Sequence, residues 1–284
     1  MIDVHTHPVQ VSEIVEQDPD LAQSVRDVFG LFMPSQPLAT FLGHLDAAGA
    51  HSAVILPIDC TSAHGCKVLS NQQIARLMEL SDRLIGFASV DPTIAGAARA
   101  LEHDVREYGL RGLKLDPALQ QFLVSDEDRA YPIYQACVEL DIPVLVHCGM
   151  SWAPRGRASF AHPLALEPVV KAFPDLRVII PHFAWPWVGE AVMLALTNRN
   201  VYLDTSVLYS GSPGDALSHV IASLGGIDVI ERSLREQMLF GSNYPRVDPK
   251  RVAWAVRDLG MRQSLAENVF HANAQRALKL DVAR

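Results

Sequence analysis

Eight short apolar runs, separated by stretches of helical periodicity, constrain this 284-residue chain more than any other feature. They occupy residues 2–4, 53–57, 84–90, 112–115, 143–147, 177–181, 201–205 and 238–242. None alternates polar with apolar, as expected of parallel strands covered on both faces. Eight parallel strands joined by helical crossovers are what a closed barrel needs. The expected fold is therefore α/β, a single-domain (β/α)8 TIM barrel over residues 1–284.

Between the runs, periodicity predicts helices over 95–108, 128–140 and 266–278. Two connections are longer than a crossover needs. The first, 8–52, holds Phe29-Gly-Leu-Phe-Met-Pro34, which reads as a lid or pocket wall. The second, 148–160, carries Trp152, Arg155 and Arg157.

Bulk properties narrow the partners. A formal charge of −8 and a pI near 5.7 argue against a nucleic-acid surface, which wants a basic stripe, and leave a small molecule; Trp152, Arg155 and Arg157 would suit an anionic or aromatic one. No apolar run approaches the ~20 residues that span a bilayer, and no leader is expected before the first run. Cys60, Cys66, Cys137 and Cys148 have neither zinc-finger spacing nor a secreted framework, so reduced thiols in the cytoplasm are expected. A homo-oligomer stays open.

The chemistry is expected where these runs end, because barrel enzymes gather their reacting groups at the C-terminal ends of strands. His5 and His7 close the first run two residues apart, so both rings point to one face. His147 closes the fifth run, His182 the sixth, Asp204 the seventh and Asn243 the eighth. Three neutral imidazoles from His5, His7 and His147 suit a divalent metal with one position left open, zinc first and manganese second. His182 is the expected catalytic base, with Asp204 in reserve.

Across nearly its whole length the chain resembles the amidohydrolase-related proteins that include aminocarboxymuconate-semialdehyde decarboxylase. The resemblance rests on Asp3-Val-His5-Thr-His7, Gly86-Phe-Ala-Ser-Val-Asp-Pro92, Gly112-Leu-Lys-Leu-Asp-Pro117, Val146-His147, Ala161-His-Pro163, His182 and Gly241-Ser-Asn-Tyr-Pro245. It implies a barrel in which His5, His7 and His147 bind the metal, His182 is catalytic, and the residue after Gly241-Ser242 completes the site. That last position departs from the pattern. The family usually has aspartate there; Asn243 can coordinate or hydrogen-bond through its amide oxygen but cannot serve as a base near neutral pH.

Around this centre, Lys114, Trp152, Arg155, Arg157 and Tyr244 are expected to meet substrate, although an ion pair for Lys114 and a solvated loop for the two arginines compete. The leading reading is a metal-dependent hydrolase that opens an ester, lactone, amide or C–C bond beside a ketone with water activated by the ion. A decarboxylase of an aromatic or unsaturated acid, and a non-catalytic ligand-binding barrel, are the alternatives.

Overall fold

The computed structural model describes residues 1–207 and 209–280, so the last four residues of the expected domain lie outside the described residues. Among the described residues there are ten strands: β1 (Ile2–Thr6), β2 (Ser52–Ile55), β3 (Ile58–Cys60), β4 (Cys66–Val68), β5 (Leu84–Gly86), β6 (Leu113–Leu115), β7 (Val144–Val146), β8 (Val178–Ile180), β9 (Val201–Asp204) and β10 (Met238–Leu239). Strands β3 and β4 make an antiparallel hairpin that the sequence did not announce. The other eight match the eight apolar runs. They pair in parallel as β1-β2-β5 and as β6-β7-β8-β9-β10.

Backbone bonds cross both remaining seams. Ala88 N donates to Gly112 O and Lys114 N to Ala88 O, each at 2.7 Å, joining β5 to β6. Val4 N donates to Phe240 O at 2.9 Å, Asn243 N to His5 O at 2.9 Å and His7 N to Tyr244 O at 2.7 Å, joining β10 to β1. The eight strands therefore close, and pairing at the seams continues past the formal ends of β5 and β10.

Apolar side chains sort into two layers. On β7, Val144 and Val146 pack outward with the helices, while Leu145 joins Ile2, Val4, Phe87, Ile179 and Leu239 inside the barrel. The same phase places Lys114, His147 and Asp204 inward, above that apolar floor. Strand β6 alone gives the floor no apolar residue; its inward position is Lys114. Ala274, Ala277 and Leu278 of the C-terminal helix cap the floor from below.

Strand β1 contains a bulge. Asp3 pairs with Ala53 and Thr6 with Ile55, three steps against two. One extra residue reverses the side-chain phase, so Ile2 and Val4 fill the floor while His5 and His7 still face the cleft. The bulge frees His5 N–H from the ladder, and Asp3 Oδ1 accepts it at 3.1 Å.

Helices run at Ala97–Tyr108, where Gly96 turns left-handed before the first turn, and at Tyr131–Glu139, with Pro132 in the first turn. The third expected helix is divided into Gln263–Glu267, a wider π turn at Asn268–Ala272, and Asn273–Leu278.

Candidate metal centre

A cleft of about 520 Å³ opens at the C-terminal mouth, and His5, His7, Lys114, His147, His182 and Asn243 all line it. His7 Nδ1 donates to Leu56 O at 3.0 Å, and His5 Nδ1 donates to Asp204 Oδ2 at 2.9 Å. With both Nδ1 atoms protonated, each ring presents a bare Nε2. Those two atoms face each other at 3.2 Å. Two lone pairs so placed repel unless a cation lies between them, and tetrahedral ligands at ~2.0–2.1 Å from zinc are spaced by about this much. Among the described residues, His147 Nε2 is buried with no hydrogen-bond partner and so offers a third donor. The donor set fits a divalent ion.

His5, His182 and Asp204 form a second grouping, with donor atoms all within 4.8 Å of one another. Asp204, however, is already engaged. Its Oδ1 accepts from His182 N at 2.9 Å, from Ser206 N at 3.0 Å and from Ser206 Oγ, while Oδ2 holds His5. Burial works against the charge on Asp204, but His5 and these donors hold its carboxyl well below the usual range. Its bond to His5 Nδ1 fixes the orientation of that ring.

The chain reaches His182 through an unusual turn. His182, Phe183 and Ala184 have φ of 60°, 48° and 50°, a region costing L-residues ~1–2 kcal/mol each. The turn aims His182 Nδ1 at Ser206 O and Ser206 Oγ, each 2.8 Å away, leaving Nε2 able to accept a proton. The His182 ring centre lies 4.8 Å from that of His5 and 5.3 Å from that of His147. Packing against this turn requires Gly149. Its φ is +93°, and a Cβ there would lie 2.4 Å from Trp185 O. Gly149→Ala is expected to lower stability by at least ~2 kcal/mol in thermal denaturation; an unchanged melting temperature would show that the turn is loosely held.

Lys114 is buried, and among the described residues it makes no ion pair; burial lowers its pKa, opposed by Asp116 and Asp204. Arg246 also lines the cleft, brought down to about 10 by burial, with its guanidinium 4.6 Å over the Phe29 ring. Phe29, from the segment read as a pocket wall, lies 5.0 Å from His7. Trp152 is half exposed and lines the cleft, as do Trp185 and Tyr209, stacked at 3.8 Å. Arg155 and Arg157 are exposed and are not among the lining residues. Tyr244 instead stacks on Phe41 at 4.6 Å outside it. Asn243 sits at φ 64°, a conformation asparagine tolerates better than most residues. Ser206, Trp185 and Tyr209 also line the cleft and carry no local pattern in the sequence, while Asp116 stands there only as part of the Gly112–Pro117 motif.

Buried bases couple the fold to pH. A free imidazole protonates near 6.5, whereas burial holds His147 down to about 4. Between those values the unfolded chain binds the extra proton, so acidification destabilises the metal-free protein, by up to ~3 kcal/mol from this ring. Burial lowers His5, His7 and His182 likewise, while Asp3, raised by burial to about 7, opposes them. Four bases outweigh one acid. The denaturant midpoint of chelator-treated protein should fall between pH 7 and pH 5; a rise would contradict this balance.

Fold and site together define a TIM barrel with a cluster of buried histidines, a candidate metal centre, at its mouth. The chain belongs to the amidohydrolase family, which it matches over residues 2–280. A 2-keto-4-carboxy-3-hexenedioate hydratase from Sphingobium sp. is 30% identical over 204 residues, covering 61% of this chain and 56% of the relative, little more than half its length. An uncharacterised TIM-barrel protein from Bordetella bronchiseptica superposes with a TM-score of 0.75 at 23% identity, covering 98% of each chain. A 5-carboxyvanillate decarboxylase from Novosphingobium aromaticivorans, an aspartate-to-asparagine variant with bound manganese, gives 0.63 at 16% identity, covering 98% of this chain and 96% of that one. No helix among the described residues is long and apolar enough to cross a membrane.

Proposed function

We propose that this chain is a metal-dependent hydrolase that directs water at a carbonyl of a small carboxylate substrate. The observation that carries the reading is the pair of bare Nε2 atoms of His5 and His7, 3.2 Å apart, with the unpartnered Nε2 of His147 in the same cleft. When bound there, a divalent ion polarises a carbonyl oxygen and acidifies water. Zinc suits three neutral imidazoles; the manganese in the Novosphingobium structure supports the other choice.

The residues divide the work. His5, His7 and His147 hold the ion, and Asp204 fixes the His5 tautomer. Through Nε2, His182 takes a proton from water and returns it to the leaving group. Lys114 and Arg246 supply two cations for substrate carboxylates, and Trp152 flanks a flat substrate. Arg155, Arg157 and Tyr244 would reach substrate only from outside the cleft. Unpaired thiols suit a reducing compartment such as the cytoplasm.

A second reading, hydration of a carbon–carbon double bond, is favoured by the Sphingobium hydratase. Elemental analysis, then a screen of lactones, β-keto compounds, and unsaturated and aromatic carboxylates, separates the readings. Ring opening or acyl cleavage without carbon dioxide supports hydrolysis. Carbon dioxide release would make the protein a decarboxylase, and a metal-free, inactive protein would make it a binding module.

Asn243 cannot take the proton, so Asn243→Asp should leave turnover within a few-fold of wild type. A gain of about tenfold or more would show that a carboxylate base belongs there.

A further inference from the structure

We propose that Cys60 and Cys66 form a modifiable dithiol that hydroperoxides oxidise to an intramolecular cross-strand disulfide. The hairpin of β3 and β4 pairs Ile58 with Val68, Asp59 with Lys67 and Cys60 with Cys66. Residues directly opposed in an antiparallel ladder hold their Cα atoms about 4.5–5.5 Å apart, within the range of about 4.4–6.8 Å that a disulfide spans. The register is pinned next door, where Lys67 Nζ lies 2.8 Å from Asp59 Oδ2. The short helix Thr61–His64 and left-handed Gly65 close the loop between the two cysteines.

The two thiols are unequal. Cys60 is fully buried and Cys66 partly exposed. The neighbouring Cys60 thiol, with Ser24 and Arg155, holds the Cys66 thiol below its ordinary range against its own burial. An accessible thiol with a lowered pKa beside a second thiol has the layout of a redox-sensitive pair. The Cys137 and Cys148 thiols are instead pushed up by burial.

The chemistry balances. Cys66 thiolate attacks the peroxide O–O bond and becomes a sulfenic acid, releasing hydroxide or alkoxide. Cys60 thiol then attacks that sulfur, the S–S bond forms and water leaves. Two thiols are oxidised by two electrons and one peroxide is reduced. Strand β4 packs against Val25–Phe29, so the modified hairpin backs the Phe29 wall of the cleft without using a cleft residue.

The test takes the full-length protein, reduced and freed of reductant, then exposed to a small excess of hydrogen peroxide. Intact mass should fall by two hydrogens, and a non-reducing peptide map should join the Cys60 and Cys66 peptides. Cys66→Ser should abolish the change, and Cys60→Ser should leave a sulfenic acid on Cys66 that dimedone captures. An unchanged wild-type mass, a bridge that includes Cys137 or Cys148, or wild-type oxidation that stops at sulfenic acid overturns the proposal, whether or not the variants fold.

Discussion

Replacing His5 and His7 together with alanine should strip the metal and reduce turnover to background. Loss of a partner that merely orients a metal ligand already costs 10–100-fold, so losing two ligands should exceed ~100-fold in affinity. The substitution also empties two satisfied positions. Asp204 Oδ2 loses the His5 Nδ1 donor and Leu56 O loses the His7 Nδ1 donor, at ~1–3 kcal/mol for each buried group left unpaired. Circular dichroism therefore accompanies the metal assay. His7→Gln, which removes one ring and keeps a polar group, gives a milder control. A folded double variant that retained a full complement of metal would refute the shared site.

His182→Asn should lower kcat by about 10²–10⁴, the usual contribution of a positioned acid–base group, while the metal stays. The asparagine amide can still donate to Ser206 O, which now receives His182 Nδ1 at 2.8 Å. This variant also separates the two groupings of donors around His5. If the ion sat among His5, His182 and Asp204, the substitution would cost metal as well as turnover. With His5, His7 and His147 as ligands, occupancy is unchanged and only proton transfer suffers. Wild-type turnover across the pH range would remove His182 from catalysis altogether.

Much of the barrel was legible because its signal is coarse. A strand buried on both faces must be apolar throughout, and eight such runs stand out, as at residues 143–147 and 177–181. His5 and His7 were legible for a similar reason, since a two-residue spacing fixes a shared face. Other parts depend on contacts between residues far apart in the chain. Ser206 matters only because Asp204, His5 and His182 converge on its hydroxyl. The left-handed turn at His182 is built by the Asp204 carboxylate and by the room that Gly149 leaves. Neither can be read from neighbours in sequence. Side chains on long connections were placed least well: Trp152 lines the cleft while Arg155 and Arg157, a few residues on, are exposed outside it.

Histidines from the first and fifth strands gripping one ion is the claim on which the chemistry depends. X-ray absorption on zinc-loaded protein, with His147→Ala measured beside it, tests it most directly. The expected spectrum shows one ion per chain with three imidazole nitrogens at ~2.0–2.1 Å, falling to two in the variant. A sulfur shell, or a nitrogen count unaffected by removing His147, would contradict it.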